Sequence, residues 1–285
     1  MKKVVDFCQR NLAWVLLMVC CIIFTIISPN FLTVRNILNI LNQNAYIIIA
    51  AFGISFIMMS GGMDLSVGYM MSVGGILSAL MLTRLGLGVP LVVILTIAIV
   101  TLMSTFTTVI SHLLGIDRMF VSFGTMTIYQ GLSYIISDSK TISGLSDSYK
   151  FIGQGTLFGT NLTFALVLTI ILGIIVSFMP NKTYFGRYVF ALGGNPDAAR
   201  LAGINVRKIE LYIAAIAGAF MGIASLVLTA RVGSAAATTA TGTEFTVDKP
   251  DMYLSEKNIH ESEDGVPEPG TPDTPDTDTK GGDAE

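Results

Sequence analysis

The residues that could do specific work in this chain are concentrated in one polar stretch, GRYVFALGGNPDAARLAGINVRK, residues 186–208. Within it Asn195 is a favoured N-cap and Pro196 suits the first position of a helix. Gly203 can take the left-handed conformation that commonly ends a helix. The spacing therefore predicts a helix of about two turns over residues 195–203.

The chemistry that this short helix could offer is recognition of another surface. Ala198, Ala199 and Ala202 have small side chains that let a second protein approach closely, while Leu201 and Ile204 offer apolar anchors. The alternative is an ordinary capped helix on a membrane surface, where neighbouring basic residues meet anionic lipid. The residues alone leave both interpretations open.

A second polar cluster, SGGMDLSVG at residues 60–68, lies between two apolar runs. Its glycines allow the backbone to turn sharply. The Asp64 carboxylate could accept from the N–H groups of Ser66 and Val67 and so cap the following helix. The alternative is a direct polar contact of Asp64 with a path through the membrane.

The amides of Asn42, Gln43 and Asn44 are a third set of polar groups near an apolar run. They could hydrogen-bond the hydroxyl groups of a small polar solute. The alternative is that they satisfy neighbouring helices, as polar residues at the ends of membrane helices commonly do.

Several chemical functions have no residues to support them. None of the lysines follows a glycine, so the chain has no GxxxxGK[ST] loop to hold a nucleotide phosphate. The three cysteines lack metal-ligand spacing, and we find no paired nucleophile and base and no nucleic-acid-binding surface. The apolar runs hold no Asp, Lys, Arg or His well inside them, which disfavours a proton relay. We predict that the chain is not an enzyme, binds no metal or cofactor and needs a partner for any nucleotide chemistry.

The elements that position these residues are membrane-spanning helices. The chain is 52% hydrophobic and 13% charged, which is typical of an integral membrane protein. Runs long enough to cross a bilayer, about 20 helical residues, recur along the first 245 residues. They lie at residues 12–28, 44–60, 65–83, 89–111, 120–136, 162–179 and 209–230. The sequence predicts an all-α, polytopic membrane protein with about seven transmembrane helices.

The distribution of Lys and Arg predicts the orientation, because positive charge is retained on the cytoplasmic side. With the N-terminus inside, nine basic residues fall on the inner side: Lys2, Lys3, Arg10, Arg118, Lys182, Arg187, Arg200, Arg207 and Lys208. Five fall outside: Arg35, Arg84, Lys140, Lys150 and Arg231. We predict a cytoplasmic N-terminus and a cytoplasmic location for the segment 181–208.

The composition changes abruptly near Thr246. Residues 246–285 carry twelve acidic and three basic side chains and are rich in Pro, Thr and Asp. Such a segment cannot bury enough apolar surface to offset its ordering entropy, so we predict a disordered tail. The predicted domains are a membrane domain, residues 1–245, and this tail.

The polar stretches together resemble permease subunits of ribose-type ABC importers, a family that carries monosaccharides and related small polar solutes. The resemblance rests on GRYVFALGGNPDAARLAGI, on SGGMDLSVG and on ARVGSAAATTATGTEF at residues 230–245, with FLTVRNILNILNQNA at residues 31–45. These stretches follow one another in the order expected for the family. They are specific to the family but not to one sugar.

The resemblance implies a role for each motif. The cytoplasmic signature, which would couple the permease to a separate ATPase subunit, maps onto Gly186, Arg187, Ala191, Gly193, Asn195, Ala198, Ala199, Gly203 and Ile204. The motif near the translocation path maps onto Gly61, Gly62, Asp64, Leu65, Ser66 and Gly68. Residues 195–203 would be the coupling helix.

The resemblance also implies partners and a location. We expect an ABC ATPase subunit that binds ATP and Mg²⁺, an extracytoplasmic substrate-binding protein, a second permease copy and membrane lipids, in a bacterial cytoplasmic membrane. Candidate solutes are ribose, xylose, galactose or a similar monosaccharide, with nucleosides or branched-chain amino acids as alternatives.

One departure from the family concerns the end of the resemblance. Family members continue into further apolar segments beyond the equivalents of Thr243, Glu244 and Phe245, whereas this chain changes to the acidic tail. We expect a truncated or frameshifted reading frame, and the alternative is a tail used for regulation or interaction. A truncated chain could be a membrane remnant or scaffold that does not transport.

Overall fold

A computed structural model describes residues 12–28, 30–157, 162–243 and 246 of the chain. The described helices are α1 (Leu12–Ile27), α2 (Val34–Met59), α3 (Val67–Thr83), α4 (Val89–Leu114), α5 (Arg118–Ser137), α6 (Asp147–Gln154), α7 (Phe164–Lys182), α8 (Tyr184–Gly194), α9 (Pro196–Leu201) and α10 (Val206–Val232). Two short strands, β1 (Ile142–Ser143) and β2 (Ser234–Ala235), pair antiparallel. The predicted all-α class is confirmed.

Parts of the predicted organisation lie outside these residues. The described residues belong to one compact unit, Met1–Asp248. The N-terminal basic residues and all of the tail except Thr246 lie outside the described ranges. The division of the chain at residue 245 stays a prediction.

Each of the seven apolar runs coincides with a helix, and the chain is a polytopic helical membrane protein. In the described residues, α2, α4 and α10 are each long and apolar enough to cross a bilayer by length and composition. A fourth span results if Phe164–Pro180 and Tyr184–Gly194, which meet at 69°, count as one bent span. The apolar helices α1 and α3 are shorter.

The helix boundaries follow from local capping. Thr33 caps α2 by accepting from Asn36 N–H, so this helix begins ten residues before the predicted apolar run. Gly115, with φ 65°, ends α4 in the left-handed region. Asp117 then caps α5 by accepting from Met119 N–H at 2.8 Å.

The central helix is α10, which approaches its neighbours closely through small residues. A Cβ built on Gly218 would lie 2.7 Å from Thr101 Cα, and one on Gly222 would lie 2.8 Å from Ile97 Cα, both on α4. A Cβ on Gly74 of α3 would lie 2.7 Å from Ser225 Oγ. The small-residue face of α10 therefore packs within the subunit.

The connections between helices are grouped at two ends, the inner end and the outer end. The inner end comprises residues 60–66, 115–117 and 183–205, and all three segments contribute to one cavity. The outer end comprises residues 84–88 and 138–157, with the β1–β2 pair. The exposed Arg84 and Asp138 meet there at 3.8 Å.

The short helix α6 is anchored at the outer end. The buried Tyr149 hydroxyl lies 2.8 Å from Ser78 Oγ of α3, and Gln154 donates to the Arg231 carbonyl at 2.7 Å. Burial raises the pKa of Tyr149 above its ordinary value, so this side chain is a neutral hydrogen-bonding group.

Candidate functional site at the inner end

The helix predicted at residues 195–203 is present as α9. Asn195 Oδ1 accepts from the N–H groups of Asp197 at 3.0 Å and Ala198 at 2.9 Å. Gly203 has φ 83°, and Ile204 N–H donates to the Ala199 carbonyl at 3.0 Å. Both ends of the helix are closed by the residue types that the sequence indicated.

The outward face of α9 is exposed along most of the helix. Leu201 is 92% exposed, and Ala198 and Ala202 are also on the surface. Arg200 forms an exposed ion pair with Asp197 at 3.0 Å. This face combines one large apolar side chain with a charged pair and small residues, which suits a protein surface that must fit into a groove.

Ala199 does not belong to this face, although it was expected there with Ala198 and Ala202. Its side chain is 4% exposed and packs in the core, so it cannot receive another protein. The helical repeat places Ala199 on the opposite face from Leu201. Only Ala198 and Ala202 of the three alanines lie on the accessible face.

The residues of the signature that precede α9 lie on α8. Gly186 approaches the Pro180 backbone and Gly193 approaches the Met59 carbonyl, so closely that a Cβ at either position would overlap it. The Arg187 guanidinium lies 4.2 Å from the centre of the exposed Tyr184 ring. The two glycines therefore serve packing inside the subunit, whereas Arg187 faces outward.

The carboxylate of Asp64 is fully buried at the start of α3. Asp64 Oδ1 accepts from Ser66 N–H at 3.0 Å and from Ser66 Oγ at 2.5 Å. The predicted turn bond to Ser66 is present, but the helix begins without a side-chain cap and no bond to Val67 is formed. The second oxygen of Asp64 is engaged elsewhere.

Arg118 supplies that second partner, and the sequence analysis did not identify it. Its guanidinium donates to Asp64 Oδ2 at 2.7 Å, to Thr108 Oγ1 at 2.5 Å and to Ser104 Oγ at 3.2 Å. The Arg118 side chain is only 11% exposed. One residue thus connects the start of α3 to α4 and α5.

The rest of the Gly-Gly-x-Asp motif lies beside this ion pair. Leu65 N–H donates to Ser122 Oγ of α5 at 3.0 Å. Gly61 takes φ 83°, which only glycine adopts easily, and Gly68 is buried in α3. The motif therefore forms a compact connection between α2 and α3.

A cavity of about 420 Å³ joins the motif to α9. It is lined by Ser60, Gly61, Gly62, Thr108, Ser111, His112, Gly115, Ile116, Asp117, Arg118, Pro196, Arg200, Arg207, Glu210 and Ile213. The side chains of His112 on α4 and Glu210 on α10 are in contact beside it. Its polar walls combine charges of both signs, and it brings together two motifs that are more than a hundred residues apart in the sequence.

The three candidate solute-binding amides are separated from this region along α2. Asn42 is buried, and its Oδ1 accepts from Thr163 Oγ1 at 2.6 Å while its carbonyl accepts from Arg231 at 3.1 Å. Gln43 and Asn44 are exposed, and Asn44 donates to the Ile40 carbonyl at 2.8 Å. For Asn42 the contacts match the helix-satisfying alternative.

Two comparisons with known proteins identify the family. A family model described as the permease component of a branched-chain amino acid transport system matches residues 36–248. The ribose import permease protein RbsC of Haemophilus influenzae is 32% identical over 243 residues, which are 84% of this chain and 74% of that protein. This chain belongs to that permease family.

Other relatives of the permease have related names. RbsC of Bacillus subtilis is 32% identical over 217 residues, 75% of this chain and 66% of that protein. The galactose/methyl galactoside import permease protein MglC of H. influenzae is 28% identical over 250 residues, 82% of this chain and 74% of that protein. No solved structure matches the permease.

Proposed function

We propose that the permease is the membrane subunit of an ATP-driven ABC importer for a monosaccharide. ATP and Mg²⁺ bind a separate ATPase subunit, and an extracytoplasmic binding protein delivers the solute. Two permease copies form the translocation path in a bacterial cytoplasmic membrane, with the N-terminus in the cytoplasm. The chain performs no catalysis of its own.

The observation that carries this proposal is the geometry of α9. It is a short helix capped at both ends, and its Leu201 side chain is 92% exposed at the inner end. Because both ends of this helix are capped, a force on it moves the helix as a unit and does not unwind its ends. We infer that residues 195–203 sit in a groove of the ATPase.

The proposed mechanism is alternating access. Closure of the ATPase subunits around ATP displaces α9 of each permease copy, and the helix bundles then open to the opposite side of the membrane. The ATPase supplies the energy, while the permease converts that displacement into exposure of the path. Binding of the solute-loaded partner at the outer end selects the outward-open state.

The solute class is proposed from the relatives. The named relatives are permeases for ribose and galactose import, whereas the family model is described by branched-chain amino acids. Uptake of radiolabelled ribose, galactose and leucine by proteoliposomes with the permease and its genomic ATPase and binding protein distinguishes these solutes. ATP-dependent uptake of a sugar supports the proposal, and uptake of leucine alone contradicts it.

The coupling role is tested at the end of α9. Gly203→Val forces a β-branched residue into φ 83°, a conformation that costs such residues about 1–2 kcal/mol. We expect ATPase co-purification and uptake to fall while the permease remains in the membrane. Gly194→Val is the matched control, because Gly194 has no left-handed backbone and a Cβ there meets no atom within 4 Å.

The outcomes of this test distinguish a permease that is coupled to an ATPase from a non-transporting scaffold. Loss of ATPase binding in Gly203→Val but not in Gly194→Val places the contact at α9. Undiminished binding and uptake in Gly203→Val contradict the coupling role. ATPase binding without any solute uptake by the unmodified chain favours a non-transporting scaffold.

A further inference from the structure

The ends of α8 and α2 meet backbone to backbone at the inner end. A Cβ built on Gly193 would overlap the Met59 carbonyl oxygen and would lie 3.3 Å from the Ser60 carbonyl carbon. A Cβ built on Gly61 would lie 3.8 Å from Gly193 Cα. Because Gly193 has no side chain, the backbones of the two segments are in direct contact. Neither helix end can therefore move closer to the other.

This contact lies between α9 and the turn that contains Asp64. On one side only Gly194 separates Gly193 from Asn195, the N-cap of α9. On the other side the chain continues from Met59 through a tight turn, in which Gly62 N–H donates to the Ile57 carbonyl at 3.1 Å. It then reaches Asp64, whose ion pair with Arg118 connects α3, α4 and α5.

We propose that the Gly193–Met59 contact is the point at which displacement of α9 enters the helix bundle. The inference rests on the proposed coupling to an ATPase. Close-packed backbone transmits displacement because it has no rotamers that could absorb it. The Asp64–Arg118 pair then distributes the displacement, since the guanidinium of Arg118 on α5 holds both Asp64, in the turn before α3, and Thr108 of α4. Gly193 is thus a positioning residue that acts through Met59.

A displacement of α9 could also reach the helix bundle by a second route, through α10. Asn205 caps α10 by accepting from Lys208 N–H at 3.1 Å, and α10 packs on α4 through Gly218 and Gly222. Displacement through this route would bypass Gly193. The two routes predict different effects of a methyl group at Gly193.

The test is Gly193→Ala in the complete complex with ATPase and binding protein. The added Cβ pushes α8 away from the end of α2, so solute uptake per ATP hydrolysed should fall about tenfold, within the range of typical coupling energies. ATPase co-purification and the rate of ATP hydrolysis are measured in the same complex, so that uptake is expressed per ATP hydrolysed by the bound ATPase. The matched control is Gly194→Ala, because a Cβ there meets nothing within 4 Å.

The outcomes distinguish this inference from the proposed function. Unchanged uptake per ATP in a folded Gly193→Ala complex overturns the inference and favours the route through α10, while the proposed function stands. Failure of the unmodified complex to couple ATP hydrolysis to uptake overturns the proposed function itself.

A second measurement applies if Gly193→Ala does not fold. Gly62 and Arg200 both line the inner cavity, one on each side of the proposed contact. Gly62→Cys with Arg200→Cys, in a chain without Cys8, Cys20 and Cys21, is joined by a flexible bifunctional thiol reagent. If the two sides move as one unit, the cross-linked complex retains the uptake of the same double variant before cross-linking. Loss of uptake on cross-linking, with uptake intact in each singly labelled variant, overturns the inference.

Discussion

At the scale of single residues, the ion pair of Asp64 and Arg118 decides how the inner end holds together. Removing one partner of a buried pair leaves an uncompensated charge, which costs about 3–5 kcal/mol. Asp64 is fully buried and Arg118 is 11% exposed, so solvent screens the pair little. Asp64→Asn should therefore lower the midpoint of thermal unfolding in detergent strongly.

The matched control for Asp64→Asn is Asp138→Asn. Asp138 pairs with Arg84 at 3.8 Å, but both side chains are about two-thirds exposed, at 67% and 65%. An exposed pair contributes less than about 1 kcal/mol, and Asn tolerates the left-handed backbone of Asp138. Equal shifts of the unfolding midpoint in the two variants would contradict a structural role for the buried pair.

Residue types predicted local bonds well and distant partners poorly. The cap at Asn195, the left-handed Gly203 and the turn bond from Ser66 to Asp64 all depend on residues within a few positions of one another. Arg118 lies 54 positions from Asp64, and charge type alone does not select among the available carboxylates. The partner of a buried charge depends on the packing of helices, which the sequence does not display locally.

At the scale of elements, the packing of α10 against α4 depends on the absence of side chains. A Cβ on Gly222 would lie 2.8 Å from Ile97 Cα, and backbone atoms cannot move aside as side chains do. Overpacking of this kind costs about 1–3 kcal/mol. Gly222→Ala should lower the stability of the permease, measured by thermal unfolding in detergent.

The control for Gly222→Ala is Gly131→Ala on α5. A Cβ on Gly131 meets nothing within 4 Å, and alanine is a better helix former than glycine by about 1 kcal/mol. The same substitution should therefore leave stability unchanged or raise it. A stable Gly222→Ala variant would mean that α10 and α4 are less closely packed than their backbones indicate.

Apolar runs located seven of the helices but not their full extents. The run at residues 44–60 is only the apolar part of α2, because Thr33 caps a helix whose first turns contain Arg35 and Asn36. The helix α8 was also not predicted. Asn195, which the sequence did indicate as an N-cap, has φ −158° and separates α8 from α9.

At the scale of the whole molecule, the distribution of charge predicted that Arg118 and the segment 181–208 lie on one side of the membrane, and the structure brings both to the inner cavity. The turn at residues 61–64 also lines that cavity, and its side was not predicted from the sequence. The direct contact of α8 with α2 could not be predicted, because glycine spacing does not reveal which backbone approaches. The candidate coupling helix was therefore predictable as a motif, whereas the packing of α8 on α2 beside it was not.

The orientation of the helix bundle in the membrane can be measured directly. Nine basic residues against five predict that the inner end faces the cytoplasm. We expect a membrane-impermeant maleimide applied to intact cells to label Lys150→Cys at the outer end, where that side chain is partly accessible. Arg200→Cys, whose native side chain is 62% exposed, should be labelled only after the membrane is opened. Both variants are made without the native cysteines, and the cysteine-free chain gives the background. Labelling of Arg200→Cys from outside would place α9 beyond the reach of a cytoplasmic ATPase and would overturn the proposed coupling.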